Sequence, residues 1–211
     1  VSAILTDQTK NACLDSGQAG SLSQGTPHLG LHTALGIGGA EVAGGSPAYA
    51  RKPVSFTAAA AGARDIAASV LFDVPASMTI MAVSLHDAPT GGTRRAWLPV
   101  GSSAPRACSV DSAGVTANLI FSPAHGLVAD NRVCFWAGIG AGLPTGLSED
   151  TAYWVIATGL TTDAFSVSTS QGGAAVDLTA IGDGSVCKFT PVTTAAQDTY
   201  TVSSFQISLP G

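Results

Sequence analysis

The run Ile66-Ala-Ala-Ser-Val-Leu-Phe-Asp-Val-Pro75-Ala-Ser-Met-Thr-Ile-Met-Ala-Val-Ser-Leu-His86 decides the fold class. Val70, Phe72 and Val74 share one face of its first half. In its second half Ile80, Ala82, Ser84 and His86 alternate with Met81, Val83 and Leu85. A period of two marks half-buried β-strands. Pro75 and Ala76 between the halves predict a turn joining two adjacent antiparallel strands. Further out, residues 29–33, 54–57 and 97–100 read as short strands, with Thr90-Gly-Gly-Thr93 as a turn before the last. Residues 58–63 fit a helical turn or a loop equally well. Residues 199–209 predict one long closing strand, its two faces alternating from Tyr200 to Leu209.

A second rhythm begins near Cys108. Residues 116–121, 132–136, 152–157, 164–168 and 186–190 read as strands, separated by Pro123-Ala-His-Gly126, Asp130-Asn131, Gln171-Gly-Gly173 and Gly182-Asp-Gly184. Strands at this spacing predict an antiparallel sandwich or barrel. The N-terminal end differs. Residues 6–14 carry a helix-start pattern with Thr6 or Asp7 as cap. Residues 16–27, rich in Ser, Gly and Gln, read as an extended arm. Arms of this kind order against a neighbouring subunit.

Composition narrows the function classes. The 211 residues are 45% hydrophobic but only 11% charged, with a net charge of −5. An average soluble domain is about a quarter charged. Disorder needs low hydrophobicity and high net charge, and neither holds. Nine cations on an acidic chain make no phosphate-binding face, which argues against nucleic acid. No stretch of about 20 apolar residues predicts a membrane span, and no basic and apolar leader is visible. The expectation is a protein folded in a cytoplasm, without membrane insertion.

Reactive constellations are scarce. There is no nucleophile elbow, phosphate loop or calcium loop. His86 and Asp87 are adjacent on a strand and point to opposite faces. His28 and His32, four residues apart on a strand, stand about 13 Å apart, too far for one metal. The two glutamates, Glu41 and Glu149, lie in Gly-rich or turn contexts. The reading is therefore no catalytic residue, no metal and no cofactor. Cys13, Cys108, Cys134 and Cys187 contain no CxxC spacing. They read either as buried free thiols or as holding a disulfide.

The stretch Leu31-His-Thr-Ala-Leu-Gly-Ile-Gly-Gly-Ala-Glu-Val-Ala-Gly-Gly-Ser-Pro-Ala-Tyr-Ala-Arg51 resembles small structural proteins of tailed bacteriophages, of tail-fibre-like or minor virion type. Thr9-Lys-Asn-Ala12, Phe56-Thr-Ala-Ala59, Phe72-Asp-Val-Pro75, Asp87-Ala-Pro-Thr-Gly-Gly92 and Thr199-Tyr-Thr-Val-Ser203 extend the likeness over about residues 5–105 and 193–211. The residues between resemble a second phage β module, through Ser122-Pro-Ala-His-Gly-Leu127, Leu143-Pro-Thr-Gly-Leu147 and Thr151-Ala-Tyr-Trp-Val155.

The resemblance implies an all-β chain: a jelly-roll-like antiparallel β-sandwich interrupted by a small inserted β-barrel or sandwich, with a short N-terminal helix and arm. The expected divisions are 1–27 for helix and arm, 28–107 with 191–211 for the sandwich, and 108–190 for the insert. Cys108 and Cys187 then flank the two crossings between modules, which motivates a disulfide between them. The function implied is a virion structural protein, first a capsid decoration protein, with a minor tail or tail-fibre protein as the alternative. Its partners are other virion proteins, and it is expected to be a homo-oligomer, a trimer fitting either role. Leu5, Leu14 and Leu22 of the arm, with Trp136 and Trp154, are the candidate interface residues.

Overall fold

A computed structural model describes residues 26–36, 38–137 and 142–208. The expected N-terminal helix and most of the arm, with Leu5, Leu14, Leu22 and Cys13, lie outside them. The described chain is nearly all antiparallel β and forms two compact units, Val1–Leu98 with Val192–Gly211, and Pro99–Pro191. Among the described residues no helix is long and apolar enough to cross a membrane.

The first unit begins with β1 (His28–His32), β2 (Lys52–Pro53), β3 (Ala63–Arg64), β4 (Val70–Val74), β5 (Thr79–Ile80), β6 (Ala82–His86) and β7 (Arg94–Pro99). One four-stranded sheet has the order β2-β1-β6-β7. Leu29 faces Leu85 and Leu31 faces Val83 across its central pair, and all four are buried. They form the apolar face of that sheet. The alternation predicted for residues 66–86 is present, but its two halves are not neighbours. β4 pairs with the late strand Asp198–Val202, while β6 pairs with β1. The turn at Pro75 is a crossover between sheets. Thr194 fixes it: its Oγ1 donates to the Pro75 carbonyl at 2.7 Å, and its own carbonyl accepts from Ser77 N at 2.7 Å.

The second unit contains β8 (Arg106–Val110), α1 (Ser112–Ala117), β9 (Ile120–Phe121), β10 (Arg132–Ala137), β11 (Tyr153–Ile156), β12 (Ala164–Ser168) and β13 (Gly182–Phe189). Its six strands close into a barrel, β10-β11-β12-β9-β8-β13. Inward rows from these strands fill the barrel, including Val110, Ile120, Val133, Phe135, Val155, Phe165 and Val186. Phe135 stacks on Phe165 and meets Tyr153 edge-on. Each such ring contributes about 3 kcal/mol by leaving water.

Residues 116–121 were expected to be extended, and the structure divides them. Asp111 caps α1 by accepting from Gly114 N at 2.7 Å. Asn118 ends it in the left-handed region at φ 54°. Asn118 tolerates that conformation better than most residues, and its Oδ1 accepts from Leu178 N at 2.8 Å.

The chain returns to the first unit with β14 (Val192–Thr193), β15 (Asp198–Val202) and β16 (Ile207–Ser208). The single closing strand expected at 199–209 is broken in two. Asp65 is the cause: its carboxylate accepts from Ser204 Oγ and from Phe205 N, each at 2.6 Å, between β15 and β16. β16 then pairs with β3, next to Asp65 in sequence.

Candidate functional site

Two rows of the first unit's main sheet face away from its apolar side. β1 contributes His28, Gly30 and His32; β6 contributes Ala82, Ser84 and His86. The register sets Gly30 opposite Ser84 and His28 opposite His86. Side chains alternate along a strand, so these residues share one polar face. The chain after β1 folds back over it. Val42 N donates to the Leu31 carbonyl at 2.9 Å, and Glu41 bridges to His32.

Glu41 is the hub of this covering segment. Arg51 grips it with two hydrogen bonds, Nε to Oε1 at 2.8 Å and Nη2 to Oε2 at 2.7 Å. The Tyr49 hydroxyl donates to Oε1 at 3.0 Å and accepts from Leu31 N at 2.7 Å. Arg51 Nη1 also donates to the carbonyls of Ala88 and Gly91, at 3.0 and 2.6 Å. Burial works to raise the Glu41 pKa, but Arg51 overrides it and holds the carboxylate below its ordinary range. Burial pushes the Tyr49 phenol up. Gly30 makes room for the group: a Cβ there would stand 3.2 Å from Glu41 Oε1, 3.2 Å from the Tyr49 hydroxyl and 3.3 Å from His86 Nε2.

Beneath this lies a directed chain of hydrogen bonds. Arg94 Nη2 donates to His32 Nδ1 at 2.6 Å and to the Gly39 carbonyl at 2.6 Å. His32 therefore carries its proton on Nε2 and donates to Ser84 Oγ at 2.5 Å. Ser84 in turn donates to His86 Nε2 at 2.7 Å. The imidazole rings lie nearly parallel, with centroids 5.6 Å apart. Burial, then the Arg94 charge, lowers the His32 pKa to about 4; burial, then Arg51, lowers that of His86 to about 4. Both rings are neutral at pH 7.

A serine between two histidines has the elements of a nucleophile and base. Here Ser84 is 0% exposed and His32 is 0% exposed. An acyl substrate has no approach to the oxygen. The arrangement clamps segment 33–51 onto the sheet instead. Among the described residues no group of three His, Cys, Asp or Glu side chains is set to hold a metal.

The sequence reading placed Glu41 in a solvated turn and treated His32 and His86 separately. Both histidines stand on the polar rows of alternating strands, but only the strand pairing brings them together. The readable signal was the stretch 31–51 itself, which supplies His32, Glu41, Tyr49 and Arg51.

The second unit holds the remaining predicted site residues. Trp136 and Trp154 are half-buried, in phase with neither Phe135 nor Tyr153, and so stand on the outer row of the barrel wall. The Arg132 guanidinium lies 4.4 Å above the Trp154 ring, a cation–π contact. The predicted Cys108–Cys187 bridge is not formed. Cys108 sits opposite Gly184, three residues from Cys187, and lies on the inward row. Cys187 sits opposite Cys134. An odd offset along a strand places side chains on opposite faces, so Cys108 and Cys187 cannot meet. Cys108, Cys134 and Cys187 are all buried free thiols. Where the inward rows of β8 and β13 run out, Arg106, His125, Leu127, Val186 and Lys188 line a recess of about 270 Å³. Two cations and no carboxylate border it, so it suits an anionic group.

No curated protein matches this chain, and no solved structure does. A family model described as podophage GP4 fiber I protein gp80 matches residues 5–116. The matched residues contain the clamped segment 31–51 and its partners Ser84, His86 and Arg94. More than half of the chain is covered, and it belongs to the podophage GP4 fiber I protein gp80 family.

Proposed function

We propose that this chain is a non-enzymatic structural part of a podophage tail fibre, rather than a capsid decoration protein. The observation that carries the reading is the family match over residues 5–116. Residues 1–27 attach the protein to neighbouring virion proteins, with Leu5, Leu14 and Leu22 as anchors. The clamped sheet of the first unit supplies a rigid base. Pro99–Pro191 is a module inserted between β7 and β14, and it presents the outer-row residues Trp136 and Trp154. Surfaces with few charges lose little to desolvation on contact, and closed symmetry makes a homo-oligomer, such as a trimer, the expected form.

Gold-labelled antibodies raised against Pro99–Pro191, applied to intact particles, test the assignment. Label at the tail, with a copy number on the order of tens per particle, is expected for a closed fibre assembly. Label spread over the head at hundreds of copies would overturn the fibre reading in favour of decoration. Deleting residues 1–27 should weaken particle binding more than it lowers the melting temperature of the free protein. Equal losses would count against the arm as the attachment element.

A further inference from the structure

We propose that Cys134 and Cys187 are an oxidation site, where hydrogen peroxide converts two buried thiols into a disulfide stapling β10 to β13. The two residues are direct partners in the antiparallel register, between Val133↔Lys188 and Phe135↔Val186. Directly opposed residues have Cα atoms about 4.5 or 5.5 Å apart. A disulfide takes Cα separations of about 4.4 to 6.8 Å, so either spacing admits the bond without moving the backbone far. Val133, Phe135 and Val186 fill the barrel interior. Cys134 and Cys187 therefore share its outer wall, where they are 0% and 1% exposed.

Selectivity follows from the same register. Cys108 stands on the inward row, among the core side chains, and cannot compete for either sulfur. The route for a small oxidant runs through Ser103. The Cys187 thiol donates to the Ser103 carbonyl at 3.0 Å. Residues 101–105 around it are exposed. Their backbone ties to β13 are Ser103 N to the Lys188 carbonyl, and beyond them Thr190 N to the Val100 carbonyl. A brief opening of this short segment uncovers the Cys187 sulfur.

The Cys134 thiol donates to the Cys187 carbonyl at 3.8 Å, and interaction between the two side chains favours the thiolate at Cys187 and disfavours it at Cys134. Cys187 is then the attacking group. Its thiolate displaces hydroxide from the peroxide O–O bond and becomes a sulfenic acid. The Cys134 sulfur then attacks that sulfur and expels water. Two thiol protons and two electrons pass to the peroxide, giving one disulfide and two waters. A fibre protein meets oxidising surroundings once its particle leaves the cell. That timing rests on the virion reading above, whereas the bond itself does not.

The test uses the full chain with Cys13→Ser, which removes the one cysteine outside the described residues. Reduced protein is treated with hydrogen peroxide, quenched, unfolded, alkylated and mapped without reduction. The expected product has lost two hydrogen atoms, carries one peptide pair joining Cys134 to Cys187, and retains an alkylatable Cys108. Closing a loop of roughly 50 residues should raise the unfolding midpoint by about 5 °C or more, reversed by a reductant. In Cys134→Ser, peroxide should add oxygen to Cys187 with no link formed. Recovery of both thiols free, under conditions that oxidise a model thiol peptide completely, would overturn the proposal. So would a link through Cys108.

Discussion

Acid should destabilise the first unit through His32 and His86, and the structure sets the size of the effect. Each ring has a folded pKa of about 4 against an ordinary value of 6.5. At about 1.4 kcal/mol per pKa unit, one such histidine is worth about 3 kcal/mol. The sign follows from the depression. The neutral ring is the form that fits, so its contribution is complete above pH 6.5. It is lost as pH falls toward 4, because the unfolded chain takes up protons that the folded chain refuses. Two rings withholding two protons give a limiting slope of about 2.7 kcal/mol per pH unit between roughly pH 6 and 4.5. The charged groups acting on the rings are Arg94, Arg51 and Glu41. Glu41 is held low, so its own protonation falls below this window.

The assay is urea unfolding at half-unit pH steps, followed by Trp97 fluorescence with Trp136→Phe and Trp154→Phe in the background. His86→Gln supplies the control, because its amide oxygen can still accept from Ser84 but cannot titrate. Its slope should fall to that of one proton. A parent slope under about 1.4 kcal/mol per pH unit, or one unchanged by His86→Gln, would refute the claim that these rings are buried neutral.

Other perturbations probe the same architecture. Gly30→Ala should lower stability by about 1–2 kcal/mol in denaturant titrations, because its methyl group presses on Glu41, Tyr49 and His86 at once. Glu41→Gln should cost about 2–3 kcal/mol by the same measurement, since it leaves the half-buried Arg51 without its anion. Asp65→Ala removes the acceptor for Ser204 and Phe205. Amide exchange in β16 and β3 should quicken at least tenfold, while β4 and β15 stay protected, for a loss of about 2 kcal/mol. Asp111→Ala should destabilise the barrel unit by about 1 kcal/mol in thermal melts, through loss of the α1 cap.

The class of the fold was legible because strand alternation is local. Val70, Phe72 and Val74 are buried together as their spacing predicts. Partnership between strands was not legible, because it depends on residues more than a hundred positions away. Nothing within 66–86 announces that Thr194 holds the turn at Pro75, or that β4 takes β15 as its neighbour. The same limit hid the clamp. His32 and His86 are 54 residues apart and meet only through the register of β1 with β6. Glu41 reads as a turn residue because its glycine-rich neighbours dominate the local pattern. Its partner Arg51 was visible only as part of the motif. The cysteines stayed open between free thiols and a bridge for the same reason: the partner of Cys187 turns on a register that spacing does not reveal.

The open sheet of the first unit has consequences for crowding. In the fibre assembly proposed above, copies of one chain would stand at high local concentration, where any bare strand edge invites a neighbour's backbone to add on. The outer strands here are poor templates. β2 is only Lys52–Pro53, a cation followed by a residue with no N–H to offer. β7 opens with Arg94 and Arg95 and closes with Pro99. In a chain that is 11% charged, cations and prolines have been placed where runaway strand addition would start. The barrel meets the same hazard by closure, with no free edge at all. In the homo-oligomer proposed above, copies would associate through side chains, in a number set by geometry, without growing into an aggregate.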